Sequence, residues 1–440
     1  MSFTNRLILF ALLIMFKESY SQSNPMADRV ITVPEVERIE KFLSSDELQG
    51  RQLFTKGIDR AAEFIATEFK MAGLKPLTEG KYFQDFSIQR TKFILAKGTL
   101  DGQSIDQRNI VAFSSKKELK LDQNSGYEKV RITGKDPLYP TLLKMLADKK
   151  NYFVLVDSIH SRMFNSLKSF RRESEPSGNN IVFVLSNTDP NSYLIEYKQD
   201  VTQLSARNVV GVLPGKKLKD QYVIFSGHYD HLGIGRPNNE GDSIYNGAND
   251  DASGITAVIM LARYFSELKN NERSLVFAAF TAEETGGYGS QYFSKQFAPE
   301  KVVAMFNIEM IGTQSRWGNN AAFITGYEKT DMGKILEKNL EGSDFSFYPD
   351  PYPKQQLFYR SDNATLARLG VPAHTVSTSR MESDSALKIE ADKYYHTVDD
   401  EFETLDIKNL AEIIKAIAIS STSIVSGKDT PSRVDASLLR

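Results

Sequence analysis

From Asn208 onward the chain alternates short, unbroken apolar runs with stretches of helical periodicity, and this alternation constrains the fold more than any other feature. The runs Tyr222 to Phe225, Leu275 to Phe280, Val302 to Ile308 and Ala373 to Val376 are strand-sized and apolar throughout, as in parallel sheets covered on both faces. Between the first two, Ile255, Val258, Ile259, Ala262, Phe265 and Leu268 mark a helix whose apolar stripe can lie on the sheet. Ile407, Leu410, Ile413, Ile414 and Ile417 mark a closing helix in the same way. The pattern predicts an α/β fold around a parallel sheet.

Upstream, Ile58, Ala62, Ile65, Ala66 and Phe69 predict an amphipathic helix between Thr55 and Gly73. Residues 91 to about 205 change character, being rich in Lys, Ser, Asn and Asp, with two isolated strand-like runs at Tyr152 to Val156 and Ile181 to Leu185. They read as an inserted, smaller α+β lid domain. A catalytic unit of residues 26–90 and 206–427 would then surround an insertion of residues 91–205, consistent with 440 residues forming about two domains. Asn5 and Arg6 precede an apolar run from Leu7 to Phe16, followed by small residues at Ser19 and Ser21, so residues 1–21 read as a cleaved export signal and the chain as periplasmic or secreted. Ten apolar residues fall short of the ~20 that span a bilayer.

Cysteine is absent, which excludes disulfides, thiolate metal sites, a cysteine nucleophile and a lipid-anchored cysteine. Any metal must sit on His and carboxylates. Lys and Arg total 54 against 56 for Asp and Glu, so a net charge of -2 offers no field for nucleic acid or, once the signal is removed, an anionic membrane.

In an open parallel sheet, functional groups gather beyond the carboxyl ends of the strands. Four loops there carry them: Ser226-Gly227-His228-Tyr229-Asp230-His231, Thr281-Ala282-Glu283-Glu284-Thr285-Gly286-Gly287, Asn307-Ile308-Glu309-Met310-Ile311-Gly312 and Tyr394-Tyr395-His396-Thr397-Val398-Asp399-Asp400. Taken singly, a His beside an Asp or an adjacent Glu pair is an ordinary surface feature. Together, imidazoles and carboxylates without sulfur suit zinc, with manganese or cobalt as alternatives. One carboxylate between two metals can bridge them, and of adjacent Glu283 and Glu284 one can ligate while the other takes a proton. Metal lowers the pKa of bound water toward ~7, so the predicted chemistry is metal-assisted amide hydrolysis. The stretch Gly247-Ala248-Asn249-Asp250-Asp251-Ala252-Ser253-Gly254 precedes the first helix; a simple N-cap would explain one Asp, not both.

These motifs, in this order from Gly227 to Asp400, resemble those of the co-catalytic dizinc peptidases, which include secreted bacterial leucyl-type aminopeptidases and glutamate carboxypeptidase, with glutaminyl cyclases as one-zinc relatives. Leu43-Ser44-Ser45-Asp46-Glu47-Leu48-Gln49-Gly50-Arg51 resembles the N-terminal stretch of such enzymes. The resemblance implies a mixed, largely parallel sheet and two Zn2+ held by His228, Asp250, Glu284, Glu309 and His396. In it Asp250 is the bridge, joined to Asp251 by a cis peptide, and Glu283 is the general base. It implies that the Asp230 carboxylate orients His228. Tyr359-Arg360-Ser361-Asp362-Asn363 resembles a stretch near the substrate pocket, which with Asp251 and Tyr395 makes Arg360 and Asp362 candidates for the surroundings of the site.

Two positions depart from the family pattern, and the first bears on the metal count. Glu309 stands where aminopeptidases usually carry Asp, one methylene shorter, and Asn363 replaces a histidine. His231 is a candidate for the surroundings of the first motif, His374 for core packing, and His160 has no assigned role. The insertion lies where family members carry a protease-associated or apical domain. The expected function is a zinc exopeptidase, an aminopeptidase acting on peptide substrates. A one-zinc glutaminyl cyclase-like acyltransferase and a zinc carboxypeptidase are the alternatives. A non-catalytic relative would have lost ligands or the base, whereas every required position holds a competent group. No Gly-x-Ser-x-Gly elbow supports serine chemistry. The sequence does not determine oligomeric state.

Overall fold

The computed structural model describes residues 24–77, 80–148, 150–170, 173–385 and 390–439. The expected signal over residues 1–21 lies outside them. Helices α1 (Val33–Leu43) and α2 (Lys56–Met71) lead into a long strand β1 (Phe83–Leu100). Next come β2 (Ile110–Phe113), β3 (Glu128–Ile132), α3 (Leu138–Ala147), β4 (Tyr152–Val156), α4 (Ser161–Leu167), β5 (Ile181–Leu185) and the long β6 (Tyr193–Leu213). Further along come β7 (Leu218–His228), α5 (Ser253–Leu268), β8 (Arg273–Phe280), α6 (Tyr288–Ser294), β9 (Val302–Ile308), β10 (Ala321–Ile324), β11 (Ser346–Pro349), β12 (Ala373–Ser377) and α7 (Ile407–Ser420), with shorter elements between them.

The main sheet runs β11–β10–β12–β9–β7–β8–β6–β1. Its centre is parallel: β7 pairs with β8 and β9, and β9 with β12, while β10 and β6 join antiparallel at either side. This is the mixed, largely parallel sheet expected from the sequence. Every residue of β8, β9 and β12 is buried, because helices cover both faces. On one face α1, α2, α5 and α7 form a single apolar core with Phe225, Phe277 and Phe306, whose rings stack 5.0–5.5 Å apart. On the other, Phe293 of α6 packs with Ile224, Val276 and Met305.

The insertion is not hung on a linker. β1 and β6 pair without a break in the ladder from Phe83 with Val209 out to Leu100 with Tyr193, apart from an irregularity at Lys198/Gln199. The expected boundaries at residues 91 and 205 therefore fall inside continuous strands. Beyond the helical layers the arm meets solvent on one side, so its polar residues break up the apolar pattern that would have marked it as sheet. β2, β5, β4 and β3 form a separate four-stranded sheet, which packs on the arm through Phe153, Leu155, Val182 and Val184 and is covered by α3 and α4 on its other face.

Candidate metal centre

β7, β8 and β9 are parallel and end within one residue of each other at His228, Phe280 and Ile308, so the loops that follow them share one rim. His228 is the last residue of β7. Its Nε2 lies 3.1 Å from Oδ1 of Asp250 and 3.5 Å from Oε1 of Glu309. On the other side of Asp250, Oδ2 lies 3.2 Å from Nε2 of His396, which is 3.3 Å from Oε1 of Glu284. The two oxygens of Asp250 thus face two separate donor sets. Ligands ~2.0–2.1 Å from a tetrahedral ion stand ~3.3–3.4 Å apart, close to these spacings.

Two further observations fit a cation in each set. Nε2 of His228 and Oε1 of Glu284 are buried without a hydrogen-bond partner. Among the described residues, the ion pairs of Asp250, Glu284 and Glu309 are with histidines alone. Buried carboxylates without Lys or Arg partners are ordinarily paired by metal. Burial works to raise the pKa of Asp250, yet contact with His228 and His396 holds it well below the usual carboxylate range. Glu283 goes the other way, pushed up by burial and, against the pull of His228, by Glu309, Asp362 and Glu284.

The loops are fixed from beneath. The Asp250–Asp251 peptide is cis. Asp251, fully buried, accepts from the amide of His228 through Oδ2 at 3.0 Å and from the amides of Gly254 and Met310 through Oδ1 at 3.0 and 3.1 Å. It ties the ends of β7 and β9 to the start of α5. A side chain at Gly254 would bring a Cβ within 2.2 Å of the Ile308 carbonyl, so glycine is required there. Left-handed backbone at Ala282 (φ 60), Met310 (φ 53) and His396 (φ 55) marks the other loops, the kind of geometry that functional sites retain.

Asp230 departs from expectation. Nδ1 of His228 is 3.1 Å from the backbone oxygen of Asp230, whereas the Asp230 carboxylate is 3.9 Å away. That carboxylate accepts instead from the amides of Glu283 at 3.1 Å and Glu284 at 3.3 Å. The reason is steric economy: the tight turn after β7 already presents a carbonyl to the imidazole, which leaves the buried side chain to meet the next loop.

Glu309 is held by its second oxygen, to which Ser361 Oγ donates; Asn307 Nδ2 donates in turn to Ser361 Oγ at 2.7 Å. Asn363 is buried, accepting from Thr375 Oγ1 at 2.9 Å and donating to the carbonyls of Phe358 and Ala373. Where a histidine was expected, an amide therefore fastens β12 to the Ser361 loop. Asp362 is buried beside the cluster, and burial raises its pKa to about 7. Tyr395 stacks on the His396 ring at 4.0 Å. Arg360 is exposed, and among the described residues no hydrogen bond joins its side chain to the cluster.

Sequence reasoning gave three contributors no role. Asp400 receives the amides of Asn249 and Asp250 at 2.9 and 3.1 Å, and its place four residues after His396 was the available signal. Ser361 and Arg51 were quoted only within motifs. His231 comes into the second donor set, its Nδ1 2.9 Å from Oε1 of Glu284. His374 is a core residue, bonded at 2.8 Å to the Thr325 carbonyl and at 2.7 Å to Thr330 Oγ1.

Fold and cluster together define an α/β protein with two adjoining sets of His and carboxylate donors able to hold a metal ion at the carboxyl rim of its sheet. Residues 208–420 match the model described as "Peptidase family M28". A "Probable zinc metalloprotease" of Pyrenophora teres f. teres is 35% identical over 130 residues, which are 28% of this chain and 27% of that protein. "Aminopeptidase NAALADL1" of Mus musculus is 30% identical over 114 residues, 24% of this chain and 14% of that protein. The chain thus spans about a quarter or less of these curated relatives. The solved structure of BSAP, a zinc aminopeptidase from Bacillus subtilis, shares the fold with a TM-score of 0.54 at 16% identity, covering 90% of this chain and 95% of that one.

Proposed function

We propose that the chain is an exported aminopeptidase with two zinc ions, one held by His228, Asp250 and Glu309 and the other by Asp250, Glu284 and His396. The observation that carries this reading is the split of Asp250, one oxygen toward each donor set, with Glu283 beside them and outside both. Zinc, when bound, lowers the pKa of water toward ~7 and polarises a carbonyl. The chain's own part is proton transfer and positioning. Glu283 takes the proton of the attacking water as its oxygen bonds to the carbonyl carbon, then gives it to the nitrogen as the C–N bond breaks.

Residues 91–205 act in this reading as a lid. Support comes from Tyr288, four residues past Glu284, whose hydroxyl donates to the carbonyl of Glu173 at 3.0 Å, and from the Lys295–Glu175 ion pair at 2.9 Å. Export is supported by the apolar run from Leu7 to Phe16 followed by Ser19 and Ser21. No helix among the described residues is long and apolar enough to cross a membrane.

Release of amino acids from free and N-blocked peptides, with zinc content measured alongside, tests the proposal. Chelator-sensitive cleavage of free N-termini, restored by zinc, is expected. Cleavage confined to free C-termini would favour a carboxypeptidase, and one zinc with cyclisation of an N-terminal Gln peptide would favour the cyclase reading.

A further inference from the structure

Among the described residues, the most deeply buried Lys or Arg side chain lies beneath this centre. Arg51 is 1% exposed, and its guanidinium meets no carboxylate at ion-pair distance among the described residues. It donates instead to four carbonyls: Nε to Tyr229 at 2.9 Å, Nη1 to Leu43 and Asn246 at 2.5 Å each, and Nη2 to Gly247 at 2.9 Å. The Arg51 carbonyl accepts from the amide of His231 at 3.3 Å. Only a planar fork of five N–H groups can serve so many acceptors from one side chain.

What those carbonyls belong to gives the contact its meaning. Tyr229 follows His228, whereas Asn246 and Gly247 open the turn that delivers Asp250. We propose that Arg51 is a positioning residue of the metal centre: one buried guanidinium fastens the loop that carries His228 to the loop that carries Asp250 and anchors both to the end of α1. The backbone is bent to allow it. Gln49, Gly50 and Arg51 are all left-handed, with φ of 50, 65 and 47. Gly50 sits so close to the 233–245 hairpin that a Cβ would fall 2.4 Å from the Tyr245 carbonyl and 2.7 Å from that of Gly233. Three successive residues in a sparsely populated region persist only where the surroundings fix them. Carboxylates at Glu40, Asp400, Asp250 and Asp251 act on the buried charge from a distance, so the cation also offsets part of the negative charge of the centre.

This inference rests on the metal reading above, and its test separates the two. A second buried arginine supplies the control. Arg273, 3% exposed, donates to the carbonyls of Ile424 and Asp429 at 2.7 Å, but at the opposite end of β8, ~23 Å from Phe280 by strand rise. Zinc affinity by chelator competition and the visible spectrum of the cobalt-loaded protein are compared for the full chain, Arg51→Met, Arg51→Lys and Arg273→Met. Only the folded fraction is used. Arg51→Met is expected to bind zinc ~10- to 100-fold more weakly with an altered cobalt spectrum. Arg51→Lys, which keeps the charge and is the variant to read if Arg51→Met does not fold, is expected to lose at least about tenfold because an ammonium cannot span the same carbonyls. Arg273→Met is expected to match the unmodified chain in both readouts. Unchanged affinity and spectrum in the Arg51 variants, or equal losses in Arg273→Met, overturn the assignment. An unmodified chain that binds no zinc overturns the metal reading itself and the assignment with it.

Discussion

Replacing Asp230 by Asn exchanges one carboxylate oxygen for an N–H group where two backbone amides converge. Asp230 is 1% exposed, and its oxygens each accept one of the Glu283 and Glu284 amides. An asparagine offers a single oxygen, so one charge-assisted bond is lost and one buried amide faces another donor. Such a loss costs about 1.5–3 kcal/mol. At ~1.4 kcal/mol per decade this is roughly 10- to 100-fold, taken up where the two amides lie, in the loop that carries the proposed base and a ligand of the second ion. The carbonyl that holds Nδ1 of His228 is untouched. Asp230→Asn is therefore expected to lower turnover and to weaken one zinc by that factor, leaving the other as tight as before. Stepwise zinc removal by a graded chelator series, with kcat measured at each step, reads both effects. If neither zinc affinity nor kcat changes, or if the His228 position is the one that empties, the carboxylate does not work through the Glu283–Glu284 amides and the reasoning fails.

Further outcomes follow from other contacts. Glu309→Asp draws the carboxylate away from Ser361, so the ion at His228 should bind ~10-fold more weakly, with Ser361→Ala moving the same way; equal or tighter binding in Glu309→Asp would show the longer side chain to be merely tolerated. His374 is driven down to about 4 by burial, against the pull of its bond to Thr325, while in the unfolded chain it protonates near 6.5. Its stabilising effect is fully present above pH 6.5 and is lost as pH falls toward 4, about 3 kcal/mol in all. Denaturant midpoints of metal-free protein at pH 7 and 4.5 should lie closer together in His374→Gln than in the unmodified chain; an equal gap in both proteins counts against this assignment.

The parallel core was legible because β8, β9 and β12 are covered on both faces and so left unbroken apolar runs. The arm of β1 and β6 was not, since solvent let charged and polar residues into most of its exposed positions and a sheet then read as a change of domain. The loops that carry the candidate ligands could be found from residue types, because in a chain without cysteine only His and carboxylates such as His228, Asp250, Glu284 and His396 can supply the donors of the proposed zinc centre. The direction of a side chain could not. Asp230 stands two residues after His228 whether its carboxylate turns to the imidazole or to the neighbouring loop, and only the path of the turn decides. Asp400 and Arg51 bind backbone amides and carbonyls, which any residue provides, so their partners leave no trace in the sequence.

The central claim is that Glu283 moves the proton at a centre whose metal it does not hold. Glu283→Gln keeps the side chain's size and removes its basicity, so zinc content and turnover on a free peptide, measured on the same preparation, separate the two roles. The account predicts two zinc ions per chain, as in the unmodified protein, with kcat lower by ~10^2- to 10^4-fold. Near-normal turnover at full zinc content would contradict it, and loss of zinc would make Glu283 a ligand rather than the base.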